Sequence, residues 1–127
     1  MSHPVVHFEI IGTAPDKLRD YYGGLFGWQF DTPSPVAGEV SDGDQYGFLE
    51  LVTAPDGSGI RGGVGGGPGR TPHSIFYVAV PDVEAALTRA EELGGSRTLG
   101  PVTSPNGLVI GQFLDPEGTA IGLAQVG

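Results

Sequence analysis

An internal repeat constrains this chain more than any other feature of its sequence. His7, Pro15 and Asp16 recur as His73, Pro81 and Asp82, each pair 66 residues apart. Both sets occupy the same place in an identical order of elements. An apolar run rich in β-branched residues leads in, an amphipathic helical segment follows, and about three further strands close the half. A unit of roughly 60 residues can bury only a marginal core by itself, so two such units are expected to pack side by side.

In the first half, Val5-Val6-His7-Phe8-Glu9-Ile10-Ile11 reads as a strand ended by Gly12. Thr13 is the expected N-cap of a helix with Pro15 and Asp16 in its first turn, Leu18, Tyr22 and Leu25 at helical spacing, and Gly27 as its left-handed terminator. Gly23-Gly24 weakens that helix, so tertiary packing must hold its last turn. A second strand begins at Trp28-Gln29-Phe30, and a polar loop passes through Pro33, Pro35 and Gly38. Tyr46–Val52 forms a third strand, Ala54-Pro55-Asp56-Gly57 a turn, and Ile60–Val64 a fourth strand.

The second half opens with a strand over His73–Val80, then a helix capped by Asp82 with Val83, Ala86, Leu87 and Ala90 on one face, closed by Gly94-Gly95. Short strands are expected around Thr98, at Leu108–Leu114 and at Ala120–Val126, the last two joined by an Asp115-Pro116-Glu117-Gly118 hairpin turn. The expected organisation is a single α+β domain over residues 1–127 made of two tandem βαβββ modules. Module one covers about 1–64, a Gly-rich linker 65–72, and module two 73–127.

Composition enters as a set of exclusions. Twenty-three Gly and 11 Pro in 127 residues approach the range of low-complexity chains, yet the periodic apolar runs are those of a folded one. Fifteen acids against six Lys and Arg give a net charge of −9. That balance argues against nucleic-acid partners and anionic membrane surfaces, and favours cationic ligands where acids line a pocket. Without cysteine there are no disulfides, thiolate nucleophiles or thiolate zinc sites. Met1-Ser2-His3-Pro4 does not open a signal peptide and no apolar run spans a bilayer, so a cytoplasmic location is expected. Residues 62–69 hold no dinucleotide or phosphate loop, and Gly57-Ser58-Gly59 lacks the outer glycines of a nucleophile elbow. The histidines form no H-E-x-x-H pair.

Strand alternation sorts the side chains between two faces. Phe8, Ile10, Gly47, Leu49 and Leu51 suit the helix-covered side. The opposite face then carries His7, Glu9, Ile11, Tyr46, Phe48 and Glu50 in the first half, with His73, Ile75, Tyr77 and Ala79 in the second. The expected ligand pocket is therefore His7, Glu9, Tyr46, Phe48, Glu50, His73 and Tyr77, an aromatic surface with a few polar handles. A carboxylate buried against such walls has its pKa raised and becomes available as a base.

The segments Val6-His7-Phe8-Glu9-Ile10, Leu25-Phe26-Gly27-Trp28 and Phe113-Leu114-Asp115-Pro116-Glu117-Gly118, together with the repeat, resemble the vicinal oxygen chelate superfamily of glyoxalase I, bleomycin resistance proteins and extradiol dioxygenases. The resemblance implies a cupped mixed sheet with helices on the convex side, a small-molecule ligand in the cup, and a homodimer. Metal-dependent members draw ligands from the first and fourth strands of each module. Carried over, the first-strand positions are His7 and His73. The fourth-strand positions fall in Ile60-Arg61-Gly62-Gly63, which has no acid, and at Gly122 in Ile121-Gly122-Leu123. Two imidazoles without a carboxylate make a poor divalent-metal site. The reading is a small-molecule-binding protein with no metal expected. The alternative is a metal-dependent lyase, isomerase or dioxygenase whose divalent metal sits on a shifted set, His7 and His73 with Glu50 or Glu9.

Overall fold

The computed structural model describes residues 2–32 and 34–126. Met1 of the amino-terminal segment, Pro33 of the expected polar loop and Gly127 lie outside the described residues. Eight strands and two helices are present among those described, which is an α+β fold. They are β1 (Val5–Gly12), α1 (Pro15–Phe26), β2 (Phe30–Asp31), β3 (Gly47–Leu49), β4 (Arg61–Gly66), β5 (His73–Val80), α2 (Val83–Glu92), β6 (Ser96–Thr103), β7 (Val109–Leu114) and β8 (Ala120–Gln125). No described helix is long and apolar enough to cross a membrane. The chain forms two compact units, one of His7–Ser74 and one of Met1–Val6 with Ile75–Gly127.

In the His7–Ser74 unit, β1 pairs in parallel with β4, and β4 pairs antiparallel with β3, which in turn pairs with β2. Helix α1 starts one residue later than the sequence suggests. Pro15 fits the first helical position, where no backbone N–H is needed. It also holds Ala14 out of the helical region, at φ −131° and ψ 76°. Ala14, not Thr13, is thus the N-cap, without a side-chain cap. The other end is as expected: Gly27 adopts φ 72°, open to a residue without Cβ, and its N–H donates to the Gly23 carbonyl at 2.9 Å. Trp28 does not begin a strand. Its ring packs against Phe8, Tyr22 and Phe26 at 5.4, 5.7 and 5.0 Å between centroids, and this aromatic cluster holds the glycine-weakened last turn of α1.

The expected third strand shortens from Tyr46–Val52 to Gly47–Leu49, the three residues that pair with β4. Gly65 and Gly66, expected in a linker, complete β4, where they pair with Ile11 and Gly12. Glycine weakens a strand in isolation. Here larger neighbours lie over the bare backbone: Phe8 covers Gly62 on one face, Tyr46 covers Gly63 and Gly65 on the other, and Val64 between them is fully buried.

In the other unit, β5 pairs in parallel with β8, β8 with β7, and β7 with an irregular β6 that spans eight residues where only a short strand around Thr98 was expected. Asp82 caps α2 by accepting from the Ala85 N–H at 3.1 Å. Val83 and Leu87 of α2 close on Val80 and Leu123 to form the core, with Phe113 and Val78 packed around them. At the β7–β8 turn, Asp115 Oδ1 accepts from the Glu117 and Thr119 N–H groups, and Gly118 supplies the positive φ of 89°.

Candidate functional site

The period-two alternation of β1 aims Phe8 toward the aromatic cluster beside α1 and turns His7 and Glu9 to the other face. Tyr46 stands just before β3, one strand beyond β4, and would ordinarily be too far from β1 to touch it. It reaches β1 because its ring lies flat across β4 where Gly63 and Gly65 carry no side chains. A Cβ at either position would fall inside the ring. Gly63 is also the register partner of Glu9.

The phenol ends between two polar groups. Tyr46 Oη donates to Glu9 Oε1 at 3.0 Å, and His7 Nε2 lies 3.0 Å from Tyr46 Oη. A phenol has one proton, and here it points at the carboxylate, so His7 must supply the second hydrogen as its Nε2–H tautomer. Burial pushes the His7 imidazole down to a pKa of about 4, so it is neutral at pH 7. Tyr46 and Glu9 are almost fully enclosed, 1% and 3% exposed. Phe48 and His7 are half-buried and form the edge of the cluster, with Phe48 edge-on to both His7 and Tyr46 at 5.8 and 5.1 Å.

Within the His7–Ser74 unit the structure thus brings together His7, Glu9, Tyr46 and Phe48, and does not bring Glu50 or His73 to them. Glu50 follows the end of the shortened β3 and is exposed. His73 is exposed, with Nδ1 on the Thr71 carbonyl at 2.7 Å, and it lines a cavity with residues 10–14 at the far end of β1. His7 and Gly12 are five residues apart on that strand, roughly 16 Å at about 3.3 Å per residue. Tyr77 is buried in the other unit, where its hydroxyl accepts from Gln112 Nε2 at 2.8 Å.

Tyr77 repeats the arrangement of Tyr46. It is the register partner of Gly122, and its ring occupies the space that a Gly122 side chain would need. Gly122 in β8, and Gly63 at the end of the Ile60–Gly63 stretch in which the family resemblance looks for a fourth-strand metal ligand, are therefore each covered by a tyrosine ring. Among the described residues no three His, Asp or Glu side chains are grouped so as to hold a metal ion. A divalent metal does not fit the donors present at these positions. Sequence reasoning missed the role of Gly63 and Gly65. The available signal was the placement of two glycines at alternate positions of a strand, which bares one face of it.

Residues 5–123 match the family described as the Glyoxalase/Bleomycin resistance protein/Dioxygenase superfamily. No curated protein sequence matches the chain as a detectable relative. Among solved structures, a variant methylmalonyl-CoA epimerase of Streptomyces coelicolor in complex with 2-nitronate-propionyl-CoA is similar, with a TM-score of 0.66 and 16% identity over 95% of each chain. A methylmalonyl-CoA epimerase in complex with methylmalonyl-CoA and ammonium also scores 0.66, at 15% identity over 98% of this chain and 95% of the other. A hypothetical protein from Bacillus halodurans scores 0.64 at 16% identity, over 100% of this chain and 96% of its own. At these identities the likeness is one of fold.

Proposed function

Because the chain belongs to the Glyoxalase/Bleomycin resistance protein/Dioxygenase superfamily, we propose that it binds a small organic molecule, without a divalent metal, against the sheet face that carries His7, Glu9, Tyr46 and Phe48. The observation that carries this reading is the Tyr46 phenol laid over Gly63 and Gly65 and bonded to Glu9. It covers Gly63, in the stretch where the resemblance looks for a fourth-strand ligand, and leaves a buried carboxylate among aromatic rings. A carboxylate with ring faces beside it favours a cation, and a neutral His7 adds no opposing charge. The net charge of −9 draws such ligands in from solution. The two epimerase neighbours carry acyl-CoA compounds, which supports the same fold as a host for small molecules. A homodimer in the cytoplasm belongs to the same proposal, and sedimentation of the purified chain tests the dimer.

Calorimetric titration with a panel of aromatic cations tests the ligand class. At least one is expected to bind more tightly than millimolar, and Glu9→Gln to weaken it by about tenfold through loss of the charge-assisted contact. Phe48→Ala, at the half-buried edge, serves as a second variant with less risk to folding. Failure of every aromatic cation to bind at that level ends the reading. Elemental analysis after growth with Mn, Fe, Co, Ni and Zn tests the metal-free part, which a stoichiometric, tightly held metal would sink.

A further inference from the structure

Beside α1, within the His7–Ser74 unit, lies a cavity of about 630 Å³, in the size range of small-molecule sites. The proposed sheet-face site does not use it. Fifteen acids are spread over this chain, yet no Asp or Glu lines the cavity, while Lys17 and His73 both do. Lys17 is the only lysine in the sequence and enters no ion pair among the described residues. Arg70, Arg89 and Arg97 pair with acids, whereas Arg19 and Arg61, like Lys17, enter no ion pair among the described residues, and neither of them lines the cavity. His73 directs Nδ1 at the Thr71 carbonyl, so Nδ1 carries a proton, and in that tautomer Nε2 keeps an accepting lone pair. Tyr21 and Tyr22, set edge to face at 5.1 Å, supply aromatic wall.

These features select one chemistry: a negative charge for Lys17, a flat apolar body for the tyrosines, and a hydrogen-bond donor for His73 Nε2. We propose that the cavity is a second ligand site, for a small hydroxylated aromatic carboxylate. The carboxylate pairs with Lys17, the ring packs on Tyr21 and Tyr22, and the hydroxyl donates to Nε2 of His73. Its charge preference is opposite to that of the Glu9 cluster, so the two sites take different compounds.

The test titrates the 127-residue chain with 4-hydroxybenzoate, benzoate and 4-hydroxybenzamidine, followed by amide chemical shifts. The fluorescence of Trp28 gives a second readout, because that sole tryptophan packs on Tyr22 at 5.7 Å. The expected result is saturable shifts with 4-hydroxybenzoate at residues 10–22 and 72–74, several-fold weaker binding of benzoate, and none of the amidine. Lys17→Gln, a change at an exposed position, is expected to weaken the acid by about tenfold. Four results would each overturn the proposal: no saturable shift, shifts centred on Tyr46 and Phe48, equal binding of acid and amidine, or an unaltered affinity in Lys17→Gln.

Discussion

At the scale of the residue, His7 links the buried cluster to pH. Its pKa stands at about 4 in the folded chain, below the ordinary 6.5, because burial disfavours the imidazolium. As pH falls from about 6.5 to about 4, the unfolded chain takes up this proton and the folded one does not, so stability falls over that window. The full contribution is of order 3 kcal/mol, present above pH 6.5 and gone below pH 4. Urea unfolding at pH 7 and pH 4.5 checks it: His7→Gln, which keeps an N–H for Tyr46, should lose clearly less stability than the wild type between those conditions. An equal loss in both proteins would show that other groups set the acid limit. His7, Glu9, Tyr46 and Phe48 were legible as one face because alternation along a strand is a local property. The bond from Tyr46 to Glu9 was not, because it depends on what a neighbouring strand lacks, and that requires the register. The strand expected to aim Glu50 ends at Leu49, which leaves Glu50 exposed past its end.

At the scale of the element, β4 shows how far glycine propensity can mislead. The strand expected at Ile60–Val64 runs on through Gly65 and Gly66, which read as linker by composition, and the whole of β4 is an interior strand paired on both sides. Its stability comes from the rings that lie over it, so the requirement for glycine at 63 is one of space. Gly63→Ala is expected to cost about 1–3 kcal/mol by forcing the Tyr46 ring out of place. Combined with Tyr46→Ala, it should cost less than the sum of the two single changes, since the second removes what the first collides with. Denaturant midpoints of the three variants measure this coupling, and strict additivity would refute it. Gly122→Ala against Tyr77 provides the same cycle in the other unit. Helix α2 was fully legible at its start, because the Asp82 cap is written in adjacent residues. Helix α1 was displaced by one, because Pro15 outranks Thr13 in choosing where the helix begins.

At the scale of the whole molecule, the repeat and the charge balance were both visible before any coordinates. The repeat appears as strand, helix and three strands in each half, and the family match runs over residues 5–123. Ligand preference was less visible, because the six Lys and Arg are too few for a pattern until their partners are known. Self-repulsion from the net charge of −9 opposes the compact state, and salt screens it. The melting temperature at neutral pH is therefore expected to rise by a few degrees between about 10 mM and about 150 mM NaCl. A flat response would mean that the acids are already compensated locally. The tyrosine-on-glycine pairs also bear on how such a chain can change over generations. A glycine codon lies one base change from an acidic one, so a carboxylate at 63 or 122 is genetically near. It is physically remote, because the new side chain collides with a ring, and removing the ring first leaves a bare strand. Each module would have to alter two positions together, and the two modules would have to do so independently. A single substitution toward a carboxylate at either position therefore meets a tyrosine ring first.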